Sequence, residues 1–158
     1  MSAITLEAVK ARQAELAQMI EQLTDAAAAR KPTRLLLPEV QIELQPGERY
    51  AGPLLDADGQ VQHHLVLMPQ RPDDKLNWQA AMGWAESVGG TLPTRQEQAL
   101  LYANCKRHLA PVWHWSCETY ENGASYAWYC SFLNGNQYYY RKSYEGGAVA
   151  VRLIHLAA

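Results

Sequence analysis

Side chains of types that ligate transition metals are spread along the chain, among them His63, His64, Cys105, His108, Cys117, Cys130 and His155. A structural zinc site announces itself in sequence as two closely spaced ligand pairs. Cys105 and His108 are spaced to share a helix face, but no second close pair accompanies them, so no metal is expected. Cysteine catalysis needs a base within hydrogen-bond reach of the thiol. His114 is the local candidate for Cys117, yet residues three apart on an extended strand point to opposite faces, which argues against a dyad. Glu118 and Glu121, beside Asn122, follow an aromatic run and suit solvated loop charges, with a cation or a sugar hydroxyl as the functional alternative. The glycines at 89–90, 135 and 146–147 do not form the strand–GxGxxG–helix pattern that cradles phosphates. No catalytic residue and no cofactor is expected, and the chain reads as a non-enzyme.

The chemistry that the residue types do support is recognition. Between Trp113 and Tyr144 lie eleven of the fifteen aromatic residues, interleaved with Asn, Ser and Gly. Tyr and Trp supply large contact area at low conformational-entropy cost, and Ser, Gly and Asn supply adaptable hydrogen bonds, which is how recognition surfaces are composed. Some of these rings must serve as strand core. Trp115 and Trp128 are assigned to it, with Trp128, Cys130 and Phe132 on one buried face by alternation. Tyr120, Asn122, Asn134, Asn136, Tyr138, Tyr140 and Tyr144 are the candidate partner-binding residues, with Tyr138 and Tyr140 on one face of a strand and Tyr139 on the other.

The elements that must position these residues follow from periodicity. Residues 3 to about 29 are rich in Ala, Leu, Glu and Gln and almost free of Gly and Pro, which predicts one helix. Leu6, Gln13 and Ile20 fall at one heptad position and Val9, Leu16 and Leu23 at the other, the seven-residue repeat of a coiled coil. Two readings are open: a seam for self-association, the favoured one, and an amphipathic helix packed on its own domain. Lys31-Pro32 ends the helix, and residues 30–47 read as a linker with a short edge strand around Val40, Ile42 and Leu44. Tyr50–Leu55 and Val61–Met68 flank Asp56-Ala-Asp-Gly59 as a hairpin; the loop lacks the remaining ligands of a calcium site. Asn77 opens a helix that stops at Gly89-Gly90, and Thr94-Arg-Gln-Glu97 is a capping box opening another through about Arg107. Strands are predicted near 113–117, 126–133, 137–141 and 148–154, with an Asn134-Gly135 turn. The order predicts an α+β fold, with an N-terminal helix over 1–29, the linker, and a domain over 48–158.

A chain of 158 residues can bury a core without staples, and three widely spaced cysteines fit reduced thiols rather than a disulfide framework. The formal charge of −2 leaves no basic footprint, so nucleic acid is not expected as a partner. The first residues lack the basic-then-apolar pattern of a signal peptide, and no apolar run approaches the roughly 20 residues that span a bilayer. A location in the cytoplasm of the producing cell, or within a virion, is expected.

Five short motifs in order carry a resemblance: Leu92-Pro93-Thr94, Trp115-Ser116, Ala127-Trp128-Tyr129, Asn134-Gly135 and Val151-Arg152. Over roughly residues 48–155 the chain resembles the domain family named after the C-terminal region of the Lcl adhesin, found in bacterial and phage proteins. The resemblance implies a C-type-lectin-like fold close to formylglycine-generating enzymes and to the variable proteins of diversity-generating retroelements. In those variable proteins the last strands and turns display the partner-binding residues. The copper-binding cysteine pair of the enzymes and the calcium motifs of true C-type lectins have no counterpart here. A non-catalytic binding protein of phage or prophage origin is therefore expected, recognising a protein or a glycan and forming a homo-oligomer through its N-terminal helix. Two alternatives stay open: a structural particle component whose aromatic face packs on a neighbouring subunit, and an intracellular inhibitor of a host system.

Overall fold

The computed structural model describes residues 5–29 and 39–155. They fall into two compact units divided between Gln41 and Ile42. The first unit carries α1 (Leu6–Ala29). Thr5 starts this helix, its hydroxyl accepting from the Ala8 N–H at 3.2 Å, and Glu7 sits in the first turn where the helix dipole favours a carboxylate. None of its residues is buried. The linker over residues 30–38, with its Lys31-Pro32 break, lies outside the described residues.

The second unit is α+β. It contains β1 (Arg49–Leu55), β2 (Val61–Leu67), α2 (Trp78–Ser87), α3 (Arg95–Cys105), β3 (Trp113–Thr119), β4 (Tyr126–Ser131), β5 (Gln137–Arg141) and β6 (Val151–Ile154). The strands form two antiparallel sheets of three, ordered β1-β2-β6 and β3-β4-β5. The β1–β2 turn closes as its residues dictate. Asp56 Oδ1 accepts from the Asp58 and Gln60 backbone, and Gly59 takes the positive φ of +77° that an L side chain resists.

Both head helices begin and end where their caps require. Asn77 accepts from the Ala80 N–H at 2.9 Å, and α2 stops where Gly89 adopts φ +82°. The capping box forms in full: the Thr94 hydroxyl accepts from the Glu97 N–H, and the Glu97 carboxylate accepts from the Thr94 N–H. Ala81 and Ala85 are the buried residues of α2, small enough for the helix to approach Trp115, Leu92 and Ala127 closely. A second cluster joins the sheets through α3, from Leu65, Leu67 and Val151 past Leu101 to Cys130 and Phe132.

Two local expectations are corrected. No strand forms over residues 39–45; a turn at 46–47 precedes β1 instead. The isolated alternation of Val40, Ile42 and Leu44 finds no ladder partner, and this stretch is held by single contacts such as the Glu43 carbonyl accepting from Arg152. The helix expected through Arg107 ends at Cys105 and tightens into a 3₁₀ turn at Lys106–His108.

Candidate functional site

The β3-β4-β5 sheet is where sequence and fold concentrate aromatic surface. Its register sets Trp115 opposite Tyr129, Tyr129 opposite Tyr138, Trp128 opposite Tyr139 and Ala127 opposite Tyr140. Trp113 continues the Trp115 side, with the two rings edge-on at 4.9 Å. Tyr129 packs on Trp113 at 5.0 Å, Tyr140 stacks on Trp113 at 12° between planes, and Tyr144 meets Tyr140 edge-on at 4.5 Å. Trp115 anchors this group: it is fully buried, and its indole N–H donates to the Leu76 carbonyl at 2.9 Å.

Around the other group the rings form a stack. Tyr138 lies on Tyr139 at 4.6 Å and 14°, and Tyr139 lies on Tyr120 at 3.8 Å and 14°. Trp128 and Tyr126 meet Tyr139 edge-on. Hydroxyl contacts, first with Tyr138 and then with Tyr120, push the Tyr139 phenol up to about 12. Period two predicts opposite directions for Tyr138 and Tyr139. It governs where Cβ points, and β5 is an edge strand with no neighbour on one side, so two long rings can still meet. Tyr139 is therefore part of the same assembly as Tyr138.

On the Trp113 and Tyr129 side opens a cleft of about 410 Å³, lined by Trp113, Tyr129, Tyr138, Ser131, Asn134, Asn136 and Lys75 among others. Rings, amides, a hydroxyl and an ammonium group line it, and no carboxylate does. Gly146 and Gly147 let the chain pass close to neighbouring rings. A Cβ on Gly146 would run into the Trp113 ring, and one on Gly147 would lie 2.8 Å from the His114 ring. The Asn134-Gly135 turn forms as expected, with Gly135 at φ +81° against the Tyr102 ring and Asn134 Oδ1 accepting from the Asn136 N–H.

Of the sequence-predicted residues, Asn134, Asn136 and Tyr138 come together at this cleft. Tyr140 and Tyr144 continue the surface beside Trp113, while half-buried Tyr120 lies under the Tyr139 stack. Asn122 is exposed in the β3–β4 turn. Trp113, Tyr129 and Lys75 line the cleft and were absent from the sequence-derived set. Trp113 and Tyr129 each neighbour a motif tryptophan, and that adjacency was the available signal.

Trp128 corrects its assignment. It is half-buried rather than core, because Arg95 covers its ring and its indole N–H donates to Glu121 at 2.8 Å. Cys130 on the same strand and Phe132 just beyond its end are fully buried, as expected. The two loop carboxylates also have structural work. Glu121 is held below the usual carboxylate range, first by the Trp128 indole N–H, and Glu118 lies inside β3 and accepts from the Arg95 backbone N–H.

Burial lowers His114 to about 4 and raises Cys117 to about 11, which leaves a neutral imidazole and an unreactive thiol near pH 7. All three cysteines are unpaired. No helix among the described residues is long and apolar enough to cross a membrane. No known protein family matches the chain, and no curated protein does either.

Proposed function

We propose that the chain is a non-catalytic recognition protein, of phage or prophage origin and C-type-lectin-like type, that binds a protein or glycan through the β3-β4-β5 face. One observation carries this reading: Tyr138, Tyr140 and Tyr144 are 57 %, 42 % and 48 % exposed, although each ring is already held by an aromatic neighbour. Exposed rings fixed before binding lose little freedom when a partner arrives, which is the property of an interface anchor. The cleft beside them adds polar groups suited to orienting a ligand. The five-motif resemblance to Lcl-type domains supports the same face.

The N-terminal helix belongs to this proposal as the oligomerising segment. Its heptad residues Leu6, Val9, Leu16, Ile20 and Leu23 are all exposed, an apolar stripe suited to a second copy of the same helix. Gln13 would set register on that seam at some cost in stability.

Affinity capture from host lysate and a glycan array, each run with the parent and with Tyr138→Ala, test the proposal. A partner lost with the substitution supports it. Purified protein that is insoluble until a particle subunit is added would instead favour the structural-component reading.

A further inference from the structure

A second cluster, outside the aromatic face, joins residues 92 positions apart. The β2–β6 ladder ends with His64 opposite Ile154, and His63 and His155 are the next residues beyond that last pair. The two imidazole centroids are 5.6 Å apart with 57° between planes. Two imidazoles on one zinc ion, with Zn–N about 2.0–2.1 Å, have centroids roughly 5–5.5 Å apart at tetrahedral to trigonal angles. The observed separation is within a small side-chain adjustment of that value.

His63 is also prepared as a ligand. It is 6 % exposed, and its Nε2 lies 2.8 Å from Oε1 of Glu97, itself 2 % exposed. In the neutral imidazole a proton on Nε2 can be donated to this carboxylate, which leaves the Nδ1 lone pair for a ligand. Nδ1 has no hydrogen-bond partner among the described residues. Glu97 is fixed in turn by the Thr94 backbone N–H. A carboxylate behind one imidazole nitrogen is the arrangement that orients metal-binding histidines and raises their basicity. Both histidines line an open cleft of about 590 Å³, with room for water on the metal.

We propose that His63 and His155 bind one divalent transition-metal ion of the zinc, nickel or copper class, with Glu97 as the orienting carboxylate. No three candidate ligands among the described residues are arranged around one point, so water fills the remaining positions and the ion exchanges readily. The ion clips the end of β6 to β2 and, through Glu97, to the start of α3. The clip does not depend on the reading of the aromatic face.

Calorimetric titration of the full chain with Zn²⁺, and Cu²⁺ spectroscopy, test the site. The expected result is one ion per chain, nitrogen ligation without a thiolate charge-transfer band, and a melting temperature that rises with Zn²⁺ concentration. His155→Ala removes an exposed ligand, so the metal-free melting temperature stays at the parent value while affinity falls at least tenfold. Glu97→Gln keeps a residue that can close the capping box and lowers affinity about 10–100-fold. His108→Ala leaves binding unchanged. Absence of binding below millimolar Zn²⁺, a thiolate band, or parental affinity in His155→Ala overturns the proposal.

Discussion

The Arg95 guanidinium lies over the Trp128 indole, 3.5 Å from the ring centre. Its Nε–H donates to the Gln137 side chain at 3.2 Å, and the Gln137 amide donates back to the Arg95 carbonyl. The first residue of α3 is thereby tied to β4 and β5, and a cation takes the place that a hydrophobic neighbour would fill over Trp128.

The two motif tryptophans should therefore differ in stability. Trp115→Ala empties a fully buried site and should cost about 3–5 kcal/mol. Trp128→Ala loses a cation–π contact and partial burial, about 1–2 kcal/mol. Urea denaturation of both variants gives the comparison, and equal losses would mean that Trp128 is a core residue after all.

Gly146 should tolerate no side chain. Gly146→Ala drives a methyl group into the Trp113 ring, so a loss of about 1–3 kcal/mol is expected, with a changed near-ultraviolet signal from displaced Trp113. Gly83→Ala, at a helical position with open space, is the control and should melt at or above the parent temperature.

Acid stability should depend on Glu48. The Arg152 guanidinium donates two hydrogen bonds to this buried carboxylate, and this pairing holds its pKa below the ordinary 4.5 despite burial acting the other way. A carboxyl depressed in the folded state stabilises fully above its unfolded pKa, and that contribution is lost as pH falls through the lower folded value. The stability difference between parent and Glu48→Gln should thus be constant above about pH 5.5 and shrink towards pH 3. A difference that is flat across the whole range would show that the charge of Glu48 contributes nothing.

Deleting residues 1–29 should leave a folded, monomeric head. Sedimentation equilibrium of full-length and truncated chains decides this. The same number of chains per particle in both would remove the helix seam from the proposal.

Binding should depend on the exposed tyrosines. Once a partner is captured, Tyr138→Ala and Tyr140→Ala should each weaken binding by at least about 2 kcal/mol, roughly thirtyfold. Their melting temperatures should stay close to that of the parent. Tyr139 cannot serve as the neutral control, because it supports the Tyr138 ring. Leu55, exposed on β1, is the suitable one. Parental affinity in both tyrosine variants would move the interface elsewhere.

Much of the fold was legible in sequence because the signals that carried it are local. Asn77, Thr94 and Glu97 cap helices through bonds to residues three positions away, and Asp56, Gly59 and Gly135 make turns within four. Strand spans in the aromatic region followed from alternation and turn residues, and the aromatic excess itself pointed to the sheet that carries the cleft. Where the local pattern lacked a partner, as at Val40, Ile42 and Leu44, it misled, since a strand exists only when another strand pairs with it.

The sequence by itself determined the α+β class, the helix caps, the hairpin turns and the segment on which the aromatic residues concentrate. Only the tertiary structure decided which rings are core and which are surface, because burial depends on what packs from a distant element. Arg95 from α3 lies on Trp128, Leu76 receives the Trp115 indole, and Gly146 lies against Trp113. The same holds for His63, Glu97 and His155. No spacing rule relates them, and they meet because β2 pairs with β6 while α3 begins beside that pair, geometry that long-range strand pairing alone creates.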